Sequence, residues 1–215
     1  MITAPFTSTG ELFSFAEKFF EDRIGPFRAD IAICLTPDAQ GHRAEFPALI
    51  ACIGFLELLS CLYTGILRGD GLPKLQKYVP QFMDAANYDS LRLKVLYLVL
   101  RHKLAHLSFP HLVFDTIDQP EFKGEKRRRI TWSVDHEIRS VPIYLVDYAR
   151  DRFLQQAVIP WSMPYNCRAE IRVPKLQNDI IDSLYGQTSY LQLLQTDAGI
   201  QEHFARCIKT MFPPW

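Results

Sequence analysis

Twenty-two consecutive residues, Phe46 to Leu67, carry a single charged side chain, Glu57. A helix that apolar must be covered by protein on nearly every side or lie in a bilayer, whose core needs about 20 such residues. Glu57 stands near the middle of the run, with Pro47, Ser60 and Thr64 around it. A mid-membrane carboxylate is costly, so the segment reads as the buried centre of a helical domain. The chain can supply the cover: 48% of its 215 residues are hydrophobic, 15 of them Phe and 9 Tyr. Its length suits one domain, residues 1–215. A formal net charge of +0 excludes a protein that coats nucleic acid or anionic membrane by bulk attraction. Five cysteines, an odd number with no CxxC pair, read as small buried hydrophobes in a reducing compartment. Met1 to Gly10 has neither a basic residue nor an apolar run, so no secretory signal is expected and a cytoplasmic location is.

Ser8 with Glu11 has the form of a capping box and opens an amphipathic helix expected to stop at Gly25-Pro26. Phe27 to Leu35 is helical or extended, and the apolar helix then runs from about Glu45 to Gly65 or Gly69. A weaker helix from Lys74 to Ala86 contains Pro80; Asn87 or Asp89 caps the next, Ser90 to about His106. The stretch Val95–Leu100 is apolar on every face, so this helix should also be central. After Pro110 the period becomes strand-like, predicting a β-hairpin over about 111–138 with Pro120 to Arg129 at its tip. A helix from Val141 to about Val158, a loop from Pro160 to Pro174 and short helices over about 175–212 complete the reading. The expected fold is mainly α, a helical bundle with one inserted β-hairpin.

Where the second central helix ends, its character changes abruptly to Arg101-His102-Lys103-Leu104-Ala105-His106. His102 and His106 share a helical face at zinc-ligand spacing, and His111 and His136 are further possible ligands. Lys103 stands where a zinc protease needs its Glu, and its charge opposes a cation, so no metal and no cofactor is expected. Phosphate-cradling glycine motifs and GxSxG are absent. A histidine titrating near neutrality can move a proton, and an arginine can hold two phosphoryl oxygens. The plain structural reading is that Arg and His cap a helix C-terminus. On an ideal α-helix Arg101 and His106 stand about 140° apart, so they converge only where the helix unwinds.

The Arg101, His102, His106 pattern resembles the motif of the HEPN superfamily, small all-α domains whose signature is Arg, a polar residue, a short spacer and His. Phe46-Pro47 opening an apolar helix, the lone Glu57, the closing Gly65 and Pro110 after the motif resemble an uncharacterised bacterial branch of it. The resemblance covers about residues 45–160. It implies a metal-independent endoribonuclease whose cleft forms across a homodimer, with Arg101, His102 and His106 catalytic. It also implies a setting in phage defence or a toxin–antitoxin pair, hence RNA and an antitoxin or other protein as partners. The alternative is a non-enzymatic domain of the same fold that binds nucleotide, RNA or protein. No membrane association is expected.

Lys126, Arg127, Arg128 and Arg129 are read as a hairpin-tip run, either a solvated loop or a finger that contacts RNA phosphates. Trp132 and Tyr144 read as core, or as aromatics able to stack a base. A buried Glu57 needs a partner, and Arg101 is the cation expected to meet it and be held beneath the cleft; otherwise Glu57 faces solvent or a subunit interface.

Overall fold

A computed structural model describes residues 6–97, 112–114, 128–135, 141–147 and 167–212. The chain is mainly helical and divides into two compact units, Met1–Ala86 with Gln177–Trp215, and Asn87–Leu176.

In the first unit, helix α1 spans Thr9–Leu35. Ser8 caps it by accepting the Glu11 amide at 3.1 Å, while the Glu11 carboxylate accepts from the amide and hydroxyl of Thr7 at 2.8 and 2.7 Å. The return arm of the capping box therefore lands one residue early. The helix does not stop at Gly25-Pro26 as expected; Pro26 lies inside it. An interior proline costs about 3 kcal/mol. Phe27 and Ile31, beyond it, are buried, each gaining roughly 1.5–3 kcal/mol from burial. Phe27 also stacks on Phe55 with centroids 4.6 Å apart. Tertiary burial thus outweighs the local break.

Helix α2, Glu45–Thr64, is the apolar segment. It packs against α1, α3 (Leu72–Phe82) and α7 (Ala198–Met211). Leu49, Cys52, Ile53, Leu56, Leu59 and Leu62 are fully enclosed. By length and composition α2 would also suffice to cross a membrane, with 56% of its most apolar window buried inside the protein. Gly65 terminates it in the left-handed region, φ 71°, its amide donating to the Cys61 carbonyl at 2.8 Å.

The C-terminal helices fall close to the expected positions: α5 Val173–Tyr185, α6 Tyr190–Thr196, α7 Ala198–Met211. Ser189 caps α6, and Asp197 caps α7 by accepting from the amides of Gly199 and Ile200. Aromatic rings fill the space between these helices. Phe20, Tyr63, Tyr78 and Phe82 all lie within 6.4 Å of the Tyr190 ring, centroid to centroid, in edge-on arrangements. Tyr78 Oη pairs with Ser183 Oγ at 2.8 Å, and Ser183 in turn donates to the Ile180 carbonyl at 2.6 Å. Tyr190 Oη, equally buried, has no hydrogen-bond partner among the described residues.

The second unit begins with α4, Ser90–Lys94, capped by Asp89, whose Oδ1 accepts the Arg92 amide at 2.8 Å. The helix passes into π geometry at Val95–Tyr97, and all three residues are buried, as expected of a central element. A four-stranded sheet follows, β1 Leu112–Phe114, β2 Arg128–Asp135, β3 Ile143–Asp147 and β4 Cys167–Arg172, in the order β1-β2-β4-β3. The expected hairpin is the antiparallel β1–β2 pair. Two expectations are overturned. Residues 143–147 form a strand where a helix was predicted, and 167–172 form a strand where a loop was predicted. Pairing decides both: β3 lies antiparallel to β4, which runs parallel to β2 from Ile130↔Cys167 to Asp135↔Arg172. Arg92 Nε donates to the Ile143 carbonyl at 3.0 Å, tying α4 to this sheet.

Two outcomes are expected in urea denaturation. Tyr78→Phe removes a buried hydrogen bond and should cost about 1 kcal/mol, whereas Tyr190→Phe removes an unpaired buried hydroxyl and should be neutral or slightly stabilising. A pH series gives a second check. Burial pushes the Cys207 thiol up to about 11 from the ordinary 9.0, so the folded protein keeps a proton that the unfolded chain gives up first. The Cys207 contribution to stability should be constant below pH 9 and be lost as the pH rises from 9 through about 11.

Candidate functional site

The segment Cys167-Arg168-Ala169-Glu170-Ile171-Arg172 alternates between small or apolar and charged residues, the pattern of a strand with one covered face. Ala169 and Ile171 are fully buried, as is Ile143, the β3 partner of Ile171. Arg168, Glu170 and Arg172 share the opposite face. The parallel register brings Ser133 beside Glu170 and Asp135 beside Arg172, while Tyr144 pairs with Glu170 from the other side.

These groups form one hydrogen-bonded network. The Arg172 side chain, only 8% exposed, spends its donors on three acceptors: the Val141 carbonyl at 2.7 Å, a Glu170 oxygen at 2.8 Å and an Asp135 oxygen at 3.3 Å. Arg168 donates to Ser133 Oγ at 2.8 Å and to the other Glu170 oxygen at 3.3 Å. Glu170 is thus held between two guanidinium groups. Among the described residues the network joins two arginines and two carboxylates. At its margin Tyr144 is 48% exposed, with the Arg172 guanidinium carbon 5.7 Å from its ring centroid, within cation–π range. Such a face is rigid and can position a ligand. The exposed ring is open to stacking.

Arg101, His102 and His106 lie outside the described residues, and so do Lys126 and Arg127, along with His111 and His136. Arg128 and Arg129 are placed, and the hairpin-tip expectation is corrected for them: they belong to β2, paired with Phe114 and Val113 of β1. Strand pairing extends further toward the tip than the charge run suggested. Tyr144 is exposed on the sheet's charged face instead of being core. Glu57 is half-buried on α2, seven residues beyond Ile50, hence on the same stripe as Phe46 and Ile50, which are each 40% exposed. The expected Glu57–Arg101 pairing involves a residue outside the described set. Among the described residues no three His, Cys, Asp or Glu side chains gather as metal ligands.

The charged sheet face was missed from sequence because residues 160–174 were read as a loop on the strength of their prolines. The alternation in residues 167–172 was the signal that could have found it. No protein-family model, curated protein or solved structure matches the chain.

Removing one partner of an enclosed ion pair strands the others. Arg172→Ala should therefore destabilise the protein by roughly 3 kcal/mol, read from denaturant midpoints. Arg172→Lys should recover only part of this, because an ammonium lacks the planar fork. Tyr144→Ala should shift the midpoint little.

Proposed function

We propose that the chain is a metal-independent endoribonuclease of HEPN type, acting as a homodimer through Arg101, His102 and His106. The observation that supports this reading is the π geometry of Val95–Tyr97, which ends four residues before Arg101 in the chain. In a π-helix the hydrogen-bonded repeat is five residues, and π segments inside α-helices gather at functional sites. Arg101 and His106 are five residues apart. Under-winding of this kind is what the motif needs for its arginine and histidine to face one substrate. Further support comes from the helix context: an apolar α2 with Glu57 on it and a left-handed Gly65 closing it.

In this proposal the chemistry is proton transfer with charge stabilisation. One histidine takes the proton of an RNA 2′-hydroxyl while that oxygen attacks the adjacent phosphorus, and another returns a proton to the departing 5′-oxygen. Arg101, always charged, holds the phosphoryl oxygens as negative charge builds. The basic run Lys126, Arg127, Arg128 and Arg129 contacts the RNA backbone. The exposed Tyr144 ring, backed by Arg172, offers a base a stacking surface.

Purified protein incubated with mixed RNA in excess EDTA should cleave it. Arg101→Ala and His106→Ala should each lower the rate at least about 100-fold, the usual worth of a positioned acid–base or charge-stabilising group. RNA left intact by folded wild-type protein under all conditions would instead favour a binding domain without catalysis.

A further inference from the structure

Gly65 closes α2 in a conformation that a β-carbon strains, and here the glycine has a second use. A β-carbon at this position would come within 2.2 Å of an Arg206 terminal nitrogen and 3.0 Å of the His203 ring. The bare backbone lets the Arg206 guanidinium rest directly against the helix end. Beside it opens a recess of about 560 Å³, whose walls include Ile66, Leu67, Arg68, Arg206 and Thr210.

Behind that wall sits Lys74, 6% exposed. Its ammonium donates to the carbonyls of Ile66 and Arg68 at 3.3 and 3.5 Å and to Cys61 Sγ at 3.3 Å. His203 Nδ1 lies 2.7 Å from the Tyr63 carbonyl. The Tyr63 carbonyl near the end of α2 is thus served by His203 and two carbonyls just beyond the helix by Lys74, while the Arg206 guanidinium bonds none of them. Among the described residues neither Arg68 nor Arg206 has a hydrogen bond or ion pair from its guanidinium, and no carboxylate lies within ion-pair range of Lys74. Glu202, one turn before Arg206 on α7, forms no ion pair with it.

Arg68 and Arg206 therefore line one recess, with Lys74 behind its wall, and none of the three forms an ion pair among the described residues. The C-terminal end of α2 offsets only about half a unit of charge. Lys74 has committed its three donors and contributes charge alone. The two arginine forks remain for contact, each able to hold two oxygens of one phosphoryl group. Ile66 and Leu67 give the recess an apolar wall, and its volume falls within the range of about 300–1,000 Å³ typical of small-molecule sites.

We propose that this recess binds a small phosphomonoester, its dianionic phosphate between Arg68 and Arg206 and its organic part against Ile66 and Leu67. The site uses none of the residues proposed to cleave or contact RNA.

Calorimetric titration of the full chain at fixed ionic strength tests it, with phenyl phosphate, phenyl sulfate and inorganic phosphate as probes. Phenyl phosphate should bind more tightly than phenyl sulfate, which carries one charge fewer, and more tightly than inorganic phosphate, which lacks the apolar body. Arg206→Gln and Arg68→Gln should each weaken phenyl phosphate at least about tenfold, the worth of a charge-assisted hydrogen bond. Glu202→Gln should leave the affinity unchanged. Both arginines are exposed, so both variants should melt like wild type, and Arg68→Gln decides the matter if Arg206→Gln does not fold. Affinity equal in wild type and the arginine variants, or no binding of phenyl phosphate at millimolar concentration, would overturn the proposal. So would RNA or phosphatidylglycerol vesicles being the only phosphate carriers whose binding depends on Arg206.

Discussion

Covering α2 is the constraint on which the first unit is built. A 20-residue helix with charged side chains only at Glu45 and Glu57 cannot leave much of its surface in water. Each enclosed leucine or isoleucine contributes roughly 1.5–3 kcal/mol, an upper estimate because unfolded chains already hide some surface. Helices from both ends of the chain are recruited to do this: α1 from the N-terminal side, α3 from the segment just after α2, α7 from the C-terminal end. The same demand carries α1 through Pro26. It also sets polar groups around the end of α2, where Lys74, His203 and the Cys207 thiol bond backbone carbonyls.

The second unit answers a different demand. Its sheet has one apolar face, with Ala169, Ile171 and Ile143 enclosed, and one face whose charges are internally matched. Arg172 is nearly as buried as a core residue, yet its guanidinium bonds two carboxylates and a carbonyl. Such a network adds little net stability over an apolar equivalent, but it fixes geometry, since any missing member leaves a charge stranded. That rigidity is what lets an exposed aromatic at its edge keep a set position.

The two proposals fall in different units: the proposed ribonuclease motif belongs to the second, and the arginine-lined recess at the end of α2 belongs to the first. As proposed, one relies on residues that move protons and the other on the charge of two arginines.

Helix positions were largely legible in the sequence because their signals are local. Ser8, Asp89 and Ser189 each cap a helix where the pattern placed one, and Gly65 ends α2 as its permissive backbone suggests. The alternation in residues 167–172 is a local sign of β4, but β3 and the pairing of both strands were not legible, because a strand gains its hydrogen bonds from partners distant in sequence. The persistence of α1 past Pro26 was hidden likewise, since the burial that outweighs the proline comes from Phe55 and its neighbours on another helix. Neither the Arg172 network nor the cationic recess could be read in advance. Asp135 and Arg172 are 37 residues apart, and His203 reaches a carbonyl 140 residues away. Local sequence determined where most helices would begin, through their caps, but not that α1 would run past Pro26 or that residues 143–147 would be a strand. Tertiary structure decided which charges would meet, because electrostatic partners are chosen by distance in space and not by order along the chain.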